Sequence, residues 1–253
     1  MKTILKTNKL SKSFSTGGVQ QHVLKNVDME IYEQDFTVIM GASGSGKSTL
    51  LYALSGMDKP SLGSIVYDGN INIAQLSQDE LAEFRSKNCG FIFQQIYLVD
   101  SMSILDNVLL SGLLADKNNK SKVISRAKEM LISVGIDESM FGKFPSQISG
   151  GEAQRVGLIR ASISNPKLLF ADEPTGALNS HNSENVLNIL SELNNTGQSI
   201  VMVTHDMASA LRANRILYLK DGQITGELNP GKYIPSNEDR KREIKDFLSN
   251  YSW

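Results

Sequence analysis

One cysteine in 253 residues, Cys89, excludes an internal disulfide and fits a reducing compartment. Beside Gly90-Phe91-Ile92-Phe93 it reads as a small core residue and not as a nucleophile. Neither sign of charge is in excess: 26 Lys and Arg stand against 27 Asp and Glu, for a net charge of -1 and a pI near 6.3. That balance lacks the basic footprint duplex nucleic acid needs, so no nucleic-acid partner is expected. No apolar run approaches the roughly 18 residues of a membrane span. Met1-Lys2-Thr3-Ile4-Leu5-Lys6 has no signal-peptide apolar region. If the protein works at a membrane, another polypeptide is expected to cross it. Repeats and low-complexity tracts are missing too. Glycine-rich punctuation spread along the chain suggests one catalytic domain over residues 1–253, long enough for a sizeable core.

What is present centres on Gly41-Ala42-Ser43-Gly44-Ser45-Gly46-Lys47-Ser48-Thr49. It follows the apolar run Phe36-Thr37-Val38-Ile39-Met40, which reads as a buried strand, and precedes Leu50-Leu51-Tyr52-Ala53-Leu54, which reads as a helix. Strand, glycine loop and helix are the context in which G-x-x-x-x-G-K-[ST] is a phosphate-binding loop. Glycines let backbone N–H groups converge where a Cβ would block an anion. The helix start adds donors and about half a positive charge. Lys47 supplies a full cation for β- and γ-phosphates, and Ser48 a hydroxyl for Mg²⁺. The expected ligands are the β- and γ-phosphates of a nucleotide and Mg²⁺.

The rest of the chain is punctuated as follows. Residues 3 to 40 read as short strands and turns, with Thr16-Gly17-Gly18 a turn. Phe14 is either an ordinary strand residue or a flat face for a purine. The first helix is expected over residues 47–58, ended by Pro60. Ser77-Gln78-Asp79-Glu80 is a capping-box helix start. Gly90 to Gln95 reads as a short buried strand ending in two amides. Helical pattern then runs from Asp106 through Val134 and on to Ile163, with a polar, exposed connector at Asp116–Ser121, so residues 95–163 read as a helical subdomain inserted in an α/β core. Ser149-Gly150-Gly151-Glu152 offers small residues and a helix start, which suits either a phosphate or a plain capped helix.

Lys167-Leu168-Leu169-Phe170-Ala171-Asp172-Glu173 reads as a buried strand ending in two acids. Neighbours on a strand face opposite ways, so the carboxylates need different roles. Asp172 suits Mg²⁺, directly or through water, and Glu173 suits the attacking water. His205 follows the strand Ser199 to Thr204, at the kind of strand end where ligands gather in open α/β sheets. His22 and His181 lack that placement and read as surface residues. Ile216 to Ile224 reads as a hairpin with an Asp221-Gly222 turn. Residues 236–253 read as an amphipathic tail helix with Ile244, Phe247 and Leu248 inward.

Taken together, the glycine loop at 41–49, Gln94, the run at 149–152, the acid pair at 172–173 and His205 resemble the ATPase subunit of ATP-binding cassette (ABC) transporters, over nearly the whole chain. The resemblance implies a P-loop core with an N-terminal antiparallel β subdomain and a helical subdomain. It implies adenine stacking on Phe14. Gln94 would sense Mg²⁺ and water and meet the membrane partner, and Ser149, Gly150 and Gly151 would be the signature motif. His205 would hold the γ-phosphate and attacking water. It also implies a homodimer on ATP binding, in which each signature motif caps the partner's nucleotide.

Phe170 to Leu178 and Gly41 to Lys47 look like the macrolide-exporter and lipoprotein-release type. Leu81 to Arg85 and Gly90 to Gln94 look most like bacitracin-resistance ATPases. Those pair with a multi-span FtsX-like permease at the cytoplasmic face of the membrane and often signal to a sensor histidine kinase. Asn179 departs from the family, which usually has Asp there. The alternatives are a regulatory or assembly ABC ATPase without cargo, serving signalling, cell division or Fe–S assembly, and a P-loop small-molecule kinase. Nothing under the kinase reading explains Ser149-Gly150-Gly151.

Overall fold

The computed structural model describes residues 2–251; Met1, Ser252 and Trp253, which the sequence reading included, lie outside the described residues. In chain order the elements are β1 (Thr3–Thr16), β2 (Val19–Val27), β3 (Glu30–Tyr32), β4 (Phe36–Met40), α1 (Lys47–Leu54), β5 (Leu62–Tyr67), β6 (Ile71–Asn72) and α2 (Gln78–Asn88). Then come β7 (Cys89–Ile92), α3 (Ile104–Ala115), α4 (Lys120–Ser133), α5 (Gly150–Ser162), β8 (Leu168–Asp172) and α6 (Ser180–Asn195). The chain continues with β9 (Ser199–Val203), α7 (Met207–Ala210), β10 (Arg215–Lys220), β11 (Gln223–Leu228) and α8 (Glu238–Ser249). Two compact units emerge. One comprises Met1–Leu81 with Leu193–Trp253, the other Ala82–Glu192.

The first unit holds an antiparallel sheet in the order β2-β1-β5-β6, with β3 also paired to β1. The short strands expected at the start are in fact one 14-residue strand, β1. Its register breaks between Leu10 and Lys12 and between Asn8 and Ser11, and Lys9 has a positive φ of 48°. Such bulges destroy the alternation that marks a long strand in a sequence. The same unit carries the parallel strands β10, β4 and β9, with β11 antiparallel on β10. β4 and β9 are buried throughout, the pattern of a sheet covered on both faces.

Helix α1 stops at Leu54, four residues before the expected end. Glycine decides this, not Pro60. Gly56 takes φ +71°, its N–H donates to Ala53 O, and Met57 N–H donates to Tyr52 O. These two bonds are the Schellman closure, which satisfies the last carbonyls and ends the helix.

In the second unit β7 and β8 run parallel, with Ile92 opposite Ala171. Phe91 stacks between Phe93 and Phe170, ring centroids 5.8 and 5.6 Å away. Helices α3, α4 and α5 share a core of Ile104, Val108, Ala127, Leu131, Val156 and Ile159. Each Ile, Leu or Val side chain among them contributes about 1.5–3 kcal/mol on burial. The polar connector expected at Asp116–Ser121 falls at the break between α3 and α4, and two single 3-10 turns that were not expected, Glu138–Met140 and Pro145–Gln147, follow before α5. Cys89 is buried, as its apolar neighbours suggested.

Candidate functional site

In the first unit, strands β4 and β9 lead to the glycine loop and to His205. Their parallel pairing sets Ile39 opposite Val203, and Thr204 N–H donates to Ile39 O at 3.2 Å. The glycine loop and His205 therefore leave the sheet at the same end. His205 is exposed. It is held between the buried Thr204 and Asp206, whose N–H donates to Thr204 Oγ1 at 3.0 Å and whose carboxylate accepts from Ser209 N–H at 2.7 Å.

The loop itself is shaped by close approach. A Cβ on Gly41 would lie 2.2 Å from Leu219 O and 2.8 Å from Ser45 Oγ. Gly44 and Gly46 have φ +78° and +102°, which only glycine adopts cheaply. Space around Gly44 is open, while Gly46 is backed by Val23 and Leu24. Gly46 is the N-cap of α1, and no side chain caps that helix. Lys47 is buried, its ammonium donating to Gly41 O at 2.9 Å and Ala42 O at 3.0 Å. Ser45 Oγ is buried without a hydrogen-bond partner. An unmade bond at a buried hydroxyl costs about 1–3 kcal/mol. An uncapped helix start, an orphaned hydroxyl and an adjacent ammonium fit a polyphosphate. Ser43 is exposed, and Ser48 and Thr49 are half-buried in the first turn of α1. Phe14 lies on β1, 42% exposed, with Lys12 Nζ 4.9 Å from its ring centroid.

The second unit carries the acid pair and Gln94. β8 ends at Asp172, which is buried. Glu173 has already left the strand, with φ +47°. Glu173 therefore does not continue the strand alternation on which the two carboxylates were expected to diverge. A glutamate held there costs about 1–3 kcal/mol, a type of strain that gathers at functional sites. Gln94 follows β7, and its Nε2 lies 3.0 Å from where a Cβ on Gly176 would be. Gln154, which sequence reasoning did not single out, is buried and donates to Pro174 O at 2.9 Å. It ties α5 to the segment after the acid pair. Arg160 was also missed. It donates to Ile96 O and Tyr97 O at 2.8 and 2.6 Å, holding the chain just beyond Gln94. Burial pulls its guanidinium below the usual arginine range. The only available signal was their place, six residues apart, on the helix opened by Ser149.

Ser149 caps α5 in a complete capping box. Its Oγ accepts from Glu152 N–H at 3.3 Å, and Glu152 Oε2 accepts from Ser149 N–H at 2.7 Å and from the Ser149 hydroxyl at 2.8 Å. The backbone bond from Ser149, then its side chain, hold the Glu152 carboxyl below the usual glutamate range. Gly150 is exposed and Gly151 buried. A Cβ on Gly151 would meet the Asn182 amide at 2.5 Å. Asn179 Oδ1 accepts from Asn182 N–H at 2.9 Å. His22 and His181 are exposed, as expected.

No cluster of three acidic, histidine or cysteine residues among the described residues could hold a metal ion. Mg²⁺ at a nucleotide needs none, since one or two protein oxygens suffice beside phosphate and water. Ser48 and Asp172 are hard oxygen donors of that type. Among the described residues no helix is long and apolar enough to cross a membrane.

The family described as ABC transporter matches residues 24–176. The chain is 41% identical over 246 residues to the bacitracin export ATP-binding protein BceA of Halalkalibacterium halodurans, covering 97% of this chain and 94% of that protein. It is 40% identical over 229 residues to the macrolide export ATP-binding/permease protein MacB of Wolinella succinogenes, covering 90% of this chain. There it spans about a third of the relative's length, 35%. Among solved structures, a dimeric ATP-binding cassette in a post-hydrolysis state bound to ADP and Pi superposes with a TM-score of 0.82 at 37% identity, covering 89% of this chain and 98% of that one. This chain belongs to the ABC transporter family and has its ATPase fold: it is an ATP-binding, ATP-hydrolysing cassette.

Proposed function

We propose that this cassette powers a membrane exporter that confers resistance to antimicrobial peptides. The observation that carries the reading is the end-to-end likeness to BceA, which is a separate ATP-binding protein of about this chain's length. The cassette would act at the cytoplasmic face of the membrane, bound to a multi-span FtsX-like permease that can signal to a sensor histidine kinase. Residues 1–253 form one nucleotide-binding domain, with a helical subdomain over roughly 95–163.

Phosphates of ATP would enter the cradle of Gly41, Ser43, Gly44, Ser45, Gly46, Lys47, Ser48 and Thr49. Lys47 then exchanges its two loop carbonyls for phosphate oxygens, and Ser45 gains the acceptor it lacks. Phe14 stacks the adenine once the Lys12 ammonium gives way. Ser48, Gln94 and Asp172 would hold Mg²⁺, which supplies charge neutralisation at the β- and γ-phosphate oxygens. Glu173 accepts a proton from the attacking water, and His205 orients that water and the γ-phosphate. Ser149, Gly150, Gly151 and Glu152 of a second copy close over the nucleotide, excluding water and completing the donors around the developing charge. Two copies therefore form the working unit when ATP is bound.

Purification from membranes tests the exporter reading. Retention of a permease with about ten spans, together with protection of cells against a peptide antibiotic, is the expected result. Retention without protection would favour a signalling ATPase, and no permease at all would favour an assembly role.

A further inference from the structure

The glycine loop borders a pocket of about 200 Å³. Ala42–Ser45 form one wall, Tyr218–Asp221 another, and Tyr251 the third. Tyr251 follows α8, beyond the residues that match the family. Its ring stacks on Tyr218 with centroids 4.2 Å apart and planes 15° apart. Phe247 of α8 meets the same ring edge-on at 5.3 Å. The Tyr251 hydroxyl donates to Thr225 O at 3.1 Å. This seat exists because residue 226 is glycine: a Cβ there would lie 1.8 Å from the hydroxyl. Ile244 and Leu248, fully buried, anchor the helix that brings Tyr251 to it.

Tyr218 sits opposite Met40 in the parallel pairing of β10 with β4, one residue before the loop begins. The next carbonyl along, Leu219 O, is the atom that forbids a Cβ on Gly41. The β10 backbone thus presses directly on the first residue of the phosphate cradle, and the tail ring presses on β10. Val23 and Leu24 back Gly46 at the other end.

We propose that Tyr251 is a positioning residue for ATP binding, holding β10 against Gly41 so that the cradle is preformed when nucleotide arrives. The proposal rests on the loop at 41–49 being the ATP site. A tail that sets the shape of the empty cradle changes how tightly ATP is held and leaves the chemistry of bound ATP alone.

The experiment titrates ATP into the full chain and measures steady-state hydrolysis. Tyr251→Ala is expected to raise the Kd and KM for ATP roughly three- to tenfold, the range of remote positioning effects, with kcat at saturating ATP unchanged. Tyr251→Phe keeps the stacked ring and should restore the parent KM. Gly226→Ala evicts the ring from its seat and should reproduce the Tyr251→Ala effect, which covers the case in which the alanine variant fails to fold. Parent ATP affinity in both Tyr251→Ala and Gly226→Ala would overturn the proposal. So would a fall in kcat with KM unchanged, or a Tyr251→Phe variant as impaired as the alanine one. Lys47→Ala run alongside tests the site itself: ATP binding that survives it would refute the loop assignment without bearing on Tyr251.

Discussion

Two helix starts in this chain are rich in serine and glycine, and they are built in opposite ways. At α1 the cap is Gly46 in a left-handed conformation, with no side chain closing the helix and Ser45 Oγ lacking a partner. At α5 Ser149 and Glu152 satisfy each other completely. The first start is open to an anion before any arrives. The second is closed within a single copy, and a phosphate must compete with Glu152 for the Ser149 hydroxyl. A preformed receiving loop and a self-capped covering loop suit a site that binds ATP first and is covered afterwards.

Lys47→Ala probes the open start most harshly. Loss of that cation should cut ATP turnover by roughly 10²–10³-fold, the usual effect of removing one charge-stabilising donor, measured as phosphate release. A variant that hydrolyses at the parent rate would erase the distinction between the two starts. Glu173→Gln should lower hydrolysis at least ~10²-fold while ATP affinity stays at the parent value.

Packing comes next in size. Gly41→Ala drives a methyl into Leu219 O and should cost about 1–3 kcal/mol of stability as overpacking against backbone, read by chemical denaturation. Gly151→Ala meets only the Asn182 amide, which can rotate, and should cost less.

The serines sharpen the contrast further. Ser149→Ala removes a cap and should destabilise the fold by about 1 kcal/mol. Ser45→Ala removes a buried hydroxyl that has no partner, so stability should stay within about 0.5 kcal/mol or rise, while ATP affinity falls. Equal losses of stability in the two variants would contradict the open-and-closed description.

The smallest expected effect is in pH. The Glu152 carboxyl is held below the usual glutamate range, first by the Ser149 backbone bond and then by its side chain. A depressed folded-state value means the contribution is complete above the unfolded-state value and is lost as pH falls through the folded one. A carboxyl titration followed by NMR should place Glu152 low, and Ser149→Ala should move it back up.

How far these features could be read from residues alone varies in an instructive way. The glycine loop was legible because strand, loop and helix are contiguous and each needs a specific residue type. The Ser77–Glu80 box and the Asp221-Gly222 turn were legible for the same reason, and both formed. Strand β1 was not, because its bulges remove the period that betrays a strand. The end of α1 was misplaced because Pro60 is a conspicuous stop, whereas Gly56 acts through two backbone bonds. Glu173 was expected on a strand, since nothing in the sequence marks a left-handed glutamate. Gln154, Arg160 and Arg240 bond backbone carbonyls distant in sequence. Only the folded chain brings such partners together, so no local pattern announces them.

Sedimentation of the Glu173→Gln variant with saturating ATP bears most directly on the claim that an open phosphate cradle is completed by another copy's capped serine loop. A dimer that forms with ATP, and dissociates when Ser149 is also replaced by a bulky residue, is the expected result. Material that binds ATP yet stays monomeric at high concentration and beside its permease would contradict it.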